Sequence, residues 1–174
     1  MKQAVIKIVV GGDGGVGKTT YLHKYCSDVF LTDTKLTVGV DFLTKKMQKG
    51  EYLLNLALWD FGGQEQFRFI LKSYVCGARA GILFFALDRI QSFMNLDEWA
   101  SILRSEKEDL PLVLVGTKAD LEDEDMKIPQ EDIDEFIKKH DILQYFRTSS
   151  KTGENISAPI ETLADYFHKK FQED

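Results

Sequence analysis

Gly12 to Thr19 reads G-D-G-G-V-G-K-T and matches the pattern G-x-x-x-x-G-K-[ST] at every fixed position. An apolar run from Val5 to Val10 predicts a strand before it, and a helix is predicted from about Lys18 to Ser27. Glycines allow consecutive backbone N–H groups to turn inward around an anion, and the helix adds the positive end of its dipole. The stretch therefore predicts a phosphate-binding loop between a strand and a helix, the context that this motif requires.

Two side chains of this loop have predicted roles of their own. Lys18 is expected to reach the β- and γ-phosphates of a nucleoside triphosphate, and the Thr19 hydroxyl is expected to ligate Mg²⁺. The other residues predicted to contact the nucleotide here are Asp13, Gly14, Gly15, Val16, Gly17 and Thr20. The loop alone specifies only a nucleoside triphosphate, so an ATPase, a kinase of small molecules and a GTPase all stay open at this point.

Apolar runs alternate with segments of helical period along the rest of the chain, which indicates βαβ units and a largely parallel sheet. Val40–Met47 and Tyr52–Trp59 flank Gly50 and predict one antiparallel hairpin. Gly81–Leu87 and Leu112–Val115 are uninterrupted apolar runs, as expected of buried strands. These runs predict the central part of the sheet.

Helices are predicted where apolar residues recur every three or four positions. One such stripe runs from Phe93 to Leu103, a second includes Ile133 and Phe136, and the last helix starts after Ser157. With a short strand near residues 145–148, the elements predict an α/β fold of three layers. We expect a single domain, residues 1–174, with a six-stranded mostly parallel sheet, one antiparallel edge hairpin and about five helices.

Composition narrows the classes of function. The 174 residues include 22 Lys and Arg against 28 Asp and Glu, a net charge of −6, which argues against nucleic acid as a partner. The two cysteines suit a reducing compartment. Ala80–Leu87 is too short to span a bilayer, and no residue for myristoylation or prenylation is found, so no intrinsic lipid anchor is expected. We expect a cytoplasmic protein, with membrane association only if a missing tail or a partner supplies it.

The motif G-T-K-A-D, from Gly116 to Asp120, is suited to binding the base of the nucleotide. It lies at the end of the Leu112–Val115 strand. The carboxylate of Asp120 can accept two hydrogen bonds, from N1–H and the exocyclic amine of guanine. Adenine lacks this pair of donors, so it would leave the carboxylate unmatched. The stem of Lys118 can lie along the base plane. Ligands bind at the carboxyl ends of strands in open α/β sheets, which favours a guanine site here.

Two further loops carry residues suited to the γ-phosphate. In W-D-F-G-G-Q-E from Trp59, Asp60 is placed to hold Mg²⁺ through a water, and the Gly63 N–H to bond a γ-phosphate oxygen. Gln64 would then orient the attacking water. Thr37, between the first helix and the hairpin, can bring its hydroxyl onto the same Mg²⁺. The predicted metal ligands are therefore Thr19, Thr37 and Asp60.

Five ordered motifs together resemble the Ras superfamily of small GTPases, and within it most closely the Rab type. They are G-D-G-G-V-G-K-T from Gly12, T-V-G-V-D-F from Thr37, W-D-F-G-G-Q-E from Trp59, G-T-K-A-D from Gly116 and T-S-S-K-T-G-E-N from Thr148. The resemblance covers essentially the whole chain.

This resemblance implies further residues of a guanine nucleotide site. Ser149, Ser150 and Lys151 would form the loop whose backbone meets the guanine carbonyl, and Phe30 would lie against the base. Thr117 stands where the family usually has asparagine, a change that Rho-type members tolerate. Gly62 replaces a common alanine, a departure toward the local sequence of Arf and Gα proteins.

The resemblance also implies a surface for partner proteins. In Rab-type proteins, the three aromatics that match Phe42, Trp59 and Tyr74 form a patch whose arrangement follows the bound nucleotide. Effectors, exchange factors and GTPase-activating proteins are the expected partners of this patch and of the two switch loops. Trp59 borders the switch, whereas Trp99 is expected to lie apart from it as a constant background in fluorescence.

The sequence as a whole predicts a Mg²⁺-dependent GTP-binding switch that hydrolyses GTP to GDP and phosphate, with Gln64, Lys18 and Thr37 as its catalytic residues. One alternative is a GTP-loaded interaction scaffold with negligible turnover. A second is an ATP-using enzyme, which would leave Asp120 without a purpose. Gα proteins carry an arginine three residues before the switch threonine, where this chain has Thr34. We therefore expect slow intrinsic hydrolysis and an arginine supplied by a partner.

Overall fold

A computed structural model describes residues 1–32 and 36–174, without the side chains of Phe67 and Met126. Within these residues six strands form one sheet: β1 Lys2–Gly11, β2 Val40–Lys49, β3 Tyr52–Phe61, β4 Ala80–Ala86, β5 Leu112–Thr117 and β6 Tyr145–Arg147. Their order is β2-β3-β1-β4-β5-β6. β2 and β3 form the antiparallel edge hairpin, and the other neighbours are parallel. The predicted sheet is confirmed.

Two hydrophobic clusters cover the two faces of this sheet. Ile8 and Val10 of β1 belong to one cluster, and Val9 between them belongs to the other, because successive side chains of a strand point to opposite faces. The described residues form six α-helices: α1 Lys18–Ser27, α2 Arg68–Tyr74, α3 Ile90–Met94, α4 Leu96–Leu103, α5 Gln130–Lys139 and α6 Ala158–Glu173. α1 and α6 pack on the first face, and α2, α4 and α5 pack on the second, which gives the three predicted layers.

The helices differ from the sequence prediction in two places. The stripe from Phe93 to Leu103 was expected to be one helix, but α3 and α4 divide at Asn95. The Asn95 side chain donates a hydrogen bond to the Asp13 carboxylate, 2.6 Å away, which ties this junction to the phosphate loop. α2 was not predicted, because it has seven residues and one buried side chain, Leu71, and so offers almost no periodicity.

The carboxyl ends of β1, β3, β4 and β5 lie at one edge of the sheet, since these strands are mutually parallel. The four loops that follow them therefore share that edge, the usual ligand-binding side of such a sheet. Among the described residues, no helix is long and apolar enough to cross a membrane.

Candidate nucleotide-binding site

The phosphate loop borders a cavity of about 120 Å³ between β1 and α1. The described residues that line this cavity come from the loop and from parts of the chain that are distant in sequence. They are Gly14, Gly15, Gly17, Lys18, Thr19, Thr20, Leu36, Thr37, Gly63, Gln64 and Lys118. Predicted residues of four separate motifs thus meet around one cavity.

Lys18 is buried at the floor of the loop. Its ammonium group donates hydrogen bonds to the carbonyl oxygens of Gly12, at 2.7 Å, and Asp13, at 2.9 Å. Burial lowers the pKa of Lys18 to about 8, while the carboxylates of Asp60 and Asp13 act in the opposite direction. The anionic phosphates of a nucleotide would favour the charged form of this lysine, because an opposite charge at close range stabilises it.

Three oxygen-bearing side chains converge beside the cavity from three elements of the chain. The hydroxyls of Thr19 and Thr37 are 2.8 Å apart, and the Thr19 hydroxyl donates to Asp60 Oδ2 at 2.5 Å. Asp60 is buried, and its Oδ1 has no hydrogen-bond partner among the described residues. Burial raises the pKa of this carboxyl group, although the bond from Thr19 opposes the shift. Hard oxygen ligands around an unsatisfied buried carboxylate oxygen fit Mg²⁺.

The loop after β3 closes directly onto the phosphate loop at Gly63. A Cβ atom at this position would stand 2.1 Å from the Gly14 nitrogen, so any side chain would force the two loops apart. At the neighbouring Gly62, a Cβ would stand 2.5 Å from the Thr37 carbonyl oxygen. The glycine that replaces the family's alanine therefore allows the Thr37 segment to approach closely, and the Gly62 N–H donates to the Gly39 carbonyl at 2.7 Å.

A second cavity, of about 510 Å³, continues from the first toward the ends of β5 and β6. Its described lining holds most of the residues predicted for the base: Gly17, Thr20, Phe30, Leu31, Thr32, Thr117, Lys118, Asp120, Leu121, Ser150 and Lys151. Ser149 lies beneath it, buried, and its hydroxyl donates to Asp120 Oδ1 at 2.7 Å. This bond orients the carboxylate and leaves Oδ2 for a ligand.

Thr117 and Lys118, shortly before Asp120 in the chain, bind the phosphate loop from the base side. Lys118 donates from its ammonium group to the Gly15 carbonyl at 2.9 Å. Thr117, where the family usually has asparagine, is buried and donates to the carbonyl of Val16. The threonine hydroxyl thus connects the base motif to the phosphate loop.

A polar network between the phosphate loop and the helices was not predicted from the sequence. The buried carboxylate of Asp13 accepts hydrogen bonds from Arg68 of α2 at 3.2 Å, from Asn95 at 2.6 Å and from the Trp99 indole at 2.9 Å. Arg68 also pairs with Glu98 at 2.6 Å and lies over the Trp99 ring. Trp99 is therefore in contact with the phosphate loop and α2, and the expectation that it lies apart from the switch is wrong.

Three aromatics predicted for partner binding form a continuous group. The rings of Phe42 and Trp59 have centroids 5.2 Å apart, and those of Trp59 and Tyr74 are 5.9 Å apart. Phe42 is 49% exposed and Tyr74 is 37% exposed, so the group lies at the surface rather than in the core. Thr34, which stands where Gα proteins carry an arginine, falls outside the described residues.

A G-x-x-x-x-G-K-[ST] loop at a strand–helix junction, with an adjoining cavity bounded by an aspartate after β5, is typical of a P-loop nucleotide-binding protein and favours the GTPase class. A sequence model of the Ras family matches residues 7–169. The chain belongs to this family and is a small GTPase.

Relatives in other organisms are of the Rab type, which confirms that part of the resemblance. Ras-related protein Rab-27B of Homo sapiens is 35% identical, over 97% of this chain and 82% of its own length. Ypt/Rab-type GTPase ypt7 of Schizosaccharomyces pombe is 32% identical, over 94% of this chain and 82% of its own length. Ras-related protein Rab-9A of Rattus norvegicus is 32% identical, over 92% and 81% respectively.

Proposed function

We propose that residues 1–174 form a single nucleotide-binding domain that acts as a Mg²⁺-dependent switch and hydrolyses GTP to GDP and phosphate. One observation carries the proposal. Thr37, in the segment before β2, and Asp60, near the end of β3, meet the Thr19 hydroxyl at the mouth of the phosphate loop. A nucleotide with a γ-phosphate would give the Thr37 segment and the loop after β3 a common partner, and its loss would release both.

In this proposal Thr19, Thr37 and Asp60 hold Mg²⁺, with the unpartnered Oδ1 of Asp60 accounting for part of the fit. When bound, the metal ion supplies positive charge that neutralises the phosphate oxygens. Lys18 adds the charge of a buried ammonium group at the floor of the same cavity. Gln64 orients a water molecule against the γ-phosphorus; a bond forms to the water oxygen as the bond to the bridging oxygen breaks, leaving GDP.

Guanine is the proposed base because of the Asp120 carboxylate and the hydrogen bond that holds it in place. Its Oδ1 is already held by Ser149, and the carboxylate borders the larger cavity. Phe30 also lines that cavity and would supply an aromatic face for the base, and Ser150 and Lys151 line it as well. An adenine base would leave the acceptors of Asp120 without the paired donors of guanine.

Partner proteins are proposed to bind the surface group formed by Phe42, Trp59 and Tyr74 together with the switch loops. Exposed, adjacent aromatics are favoured at protein interfaces because they bury a large area with few rotatable bonds. The two free thiols, Cys26 and Cys76, are consistent with an activity in the cytoplasm. A role in trafficking is proposed on the Rab-type names of the relatives.

The test is a competition followed by a single turnover. Excess GTP or GDP should displace a fluorescent guanine nucleotide from the purified protein, and ATP should not. Protein loaded with one equivalent of GTP should then release phosphate slowly in the presence of Mg²⁺, and Gln64→Leu should slow this release further. Equal displacement by ATP contradicts the base assignment. A rate that is negligible and unchanged by the Gln64 substitution would support the interaction scaffold instead.

A further inference from the structure

Each peptide carbonyl of the phosphate loop from Gly12 to Gly17 accepts a hydrogen bond. The six hydrogen bonds come from five residues: Lys18 donates to Gly12 and Asp13, Arg89 to Gly14, Lys118 to Gly15, Thr117 to Val16 and the Tyr21 backbone N–H to Gly17. A trans peptide unit is planar, so its N–H points away from its own carbonyl. Donors that hold the carbonyls therefore also set the direction of the N–H groups that would bind phosphate.

Arg89 is the one side-chain donor of this set that none of the five sequence motifs contains. It follows β4, and a tight turn fixes its backbone: its N–H donates to the Ala86 carbonyl at 3.0 Å, and its own carbonyl accepts from the Ser92 hydroxyl at 2.6 Å. Ser92 is completely buried, and its hydroxyl also accepts from the Ala86 N–H at 2.9 Å. These hydrogen bonds fix the backbone at Arg89 and so limit the directions that its side chain can take.

The guanidinium group lies along two consecutive residues of the phosphate loop. Its Nη2 donates to the Gly14 carbonyl at 2.7 Å, and its Nη1 is 3.5 Å from the position a Gly15 Cβ would take. Gly14 and Gly15 belong to the described lining of the smaller cavity, and Arg89 does not. The arginine therefore contacts the carbonyl side of this peptide, opposite to the direction of the Gly15 N–H.

We propose that Arg89 is a positioning residue: its guanidinium holds the Gly14 carbonyl outward, so that the Gly15 N–H points into the cavity and binds the nucleotide's phosphates. A hydrogen bond from a charged donor is stronger than a neutral one, and it polarises the peptide that accepts it. The Gly15 N–H becomes a better donor toward an anion. This inference rests on the proposed binding of a guanine nucleotide.

The charged side chains around the phosphate loop are consistent with the position of Arg89 beside Gly14 and Gly15. Arg89 is near enough to Lys18 to oppose its protonation and contributes to the lowered pKa of that lysine. Arg68 also approaches the loop, but its guanidinium is engaged by the carboxylates of Asp13 and Glu98. In the described part of the chain Arg89 has no such carboxylate partner, so its charge is not neutralised locally and adds to the attraction for phosphate.

The experiment compares Arg89→Ala with Arg89→Lys and with a matched control, Arg104→Ala. Arg104 also donates to backbone carbonyls, those of Leu110 and His140, but it follows directly after α4 and is not among the described residues that line the cavity. The measurements are release of a fluorescent GDP analogue in excess GDP, the ³¹P resonance of the β-phosphate of bound GDP, and thermal unfolding. Arg89→Ala should release GDP about 10-fold faster and shift the β-phosphate resonance.

Arg89→Lys keeps a charged donor and should restore most of both properties, whereas Arg104→Ala should change unfolding alone. The proposal is overturned if Arg89→Ala leaves GDP release and the resonance as in the parent protein. It is also overturned if hydrolysis alone falls, because Arg89 would then act on the γ-phosphate directly. Equal effects of Arg89→Ala and Arg104→Ala would mean that Arg89 contributes only to the general stability of the fold. Failure of the parent protein to bind GDP would instead contradict the proposed function.

Discussion

In the proposed base site the choice of base depends on the carboxylate of Asp120, which accepts a hydrogen bond from Ser149. The Ser149 hydroxyl at 2.7 Å occupies Oδ1, and the side chain borders the larger cavity together with Lys118. A carboxylate accepts at both oxygens, whereas an amide accepts at one and donates at the other. The chemistry of the base should therefore follow the chemistry of this one side chain.

Asp120→Asn should weaken GTP binding by about 100-fold or more, since one guanine donor then faces another donor. Xanthosine triphosphate, which has a carbonyl in place of the amine, should bind the variant better than the parent. Competition against a fluorescent nucleotide measures both affinities. Asp125→Asn, an exposed change of the same type in the following turn, is the control. Equal GTP affinity in parent and Asp120→Asn would contradict the assignment of the base site.

Thr19 is the residue at which the phosphate loop, Thr37 and Asp60 meet. Thr19→Asn should weaken the binding of GTP more than that of GDP when Mg²⁺ is present, because the Thr19 hydroxyl would help to hold the metal ion that offsets the larger phosphate charge of GTP. Titrations of both nucleotides with Mg²⁺ and with a chelator test this. Thr19→Ser retains the hydroxyl and should behave as the parent does. An equal loss for both nucleotides, unaffected by the chelator, would mean that the substitution only disturbs the loop.

At the scale of elements, α2 and the α3–α4 junction are joined to the phosphate loop through the Asp13 carboxylate. Arg68 of α2 contacts Asp13, Glu98 and the Trp99 ring, and its side chain is largely buried. Any change in the position of α2 must break or rearrange these contacts, because a buried carboxylate without donors is costly. The state of the loop after β3 is thereby connected to α4.

This connection predicts that Trp99 reports the bound nucleotide. In Trp59→Phe, where Trp99 is the remaining tryptophan, emission should still change between GDP and a non-hydrolysable GTP analogue. Adding Arg68→Ala should remove most of that change, since the guanidinium over the ring is the contact that moves. Trp99→Phe serves as the complementary control and isolates Trp59 in its aromatic group. Constant emission from Trp59→Phe would indicate that α2 and α4 do not respond to the nucleotide.

The features of this molecule that can be predicted from the sequence are those that depend on a local pattern of residues. The apolar runs of β4 and β5 and the turn at Gly50 are local signals, and the sheet follows from them. The division at Asn95 and the contacts of Trp99 depend on Asp13, which is more than 80 residues earlier, so periodicity alone could not reveal them. Arg89 has no motif either; its role becomes visible only when the turn after β4 is placed behind Gly14.

At the scale of the whole molecule, the positions of the arginines bear on how fast it hydrolyses GTP. The chain has five arginines, all of them in the described residues. Arg68 pairs with carboxylates, Arg89 holds Gly14, and the others lie elsewhere: Arg79 on the Phe167 and Phe171 rings, Arg104 on Leu110, and Arg147 on Glu122. None belongs to the described lining of the phosphate cavity.

A guanidinium group that reaches the γ-phosphate from a partner should therefore accelerate this protein strongly, by about 10³–10⁵-fold. Single-turnover phosphate release from purified, GTP-loaded protein should be slow, and addition of a GTPase-activating domain should raise it. The same domain with its arginine changed to alanine is the control. Aluminium fluoride, which mimics the transferred phosphoryl group, should join the GDP complex only when the intact domain is present. Rapid release, or capture of aluminium fluoride by the protein alone, would mean that one of its own arginines moves into the cavity during the reaction.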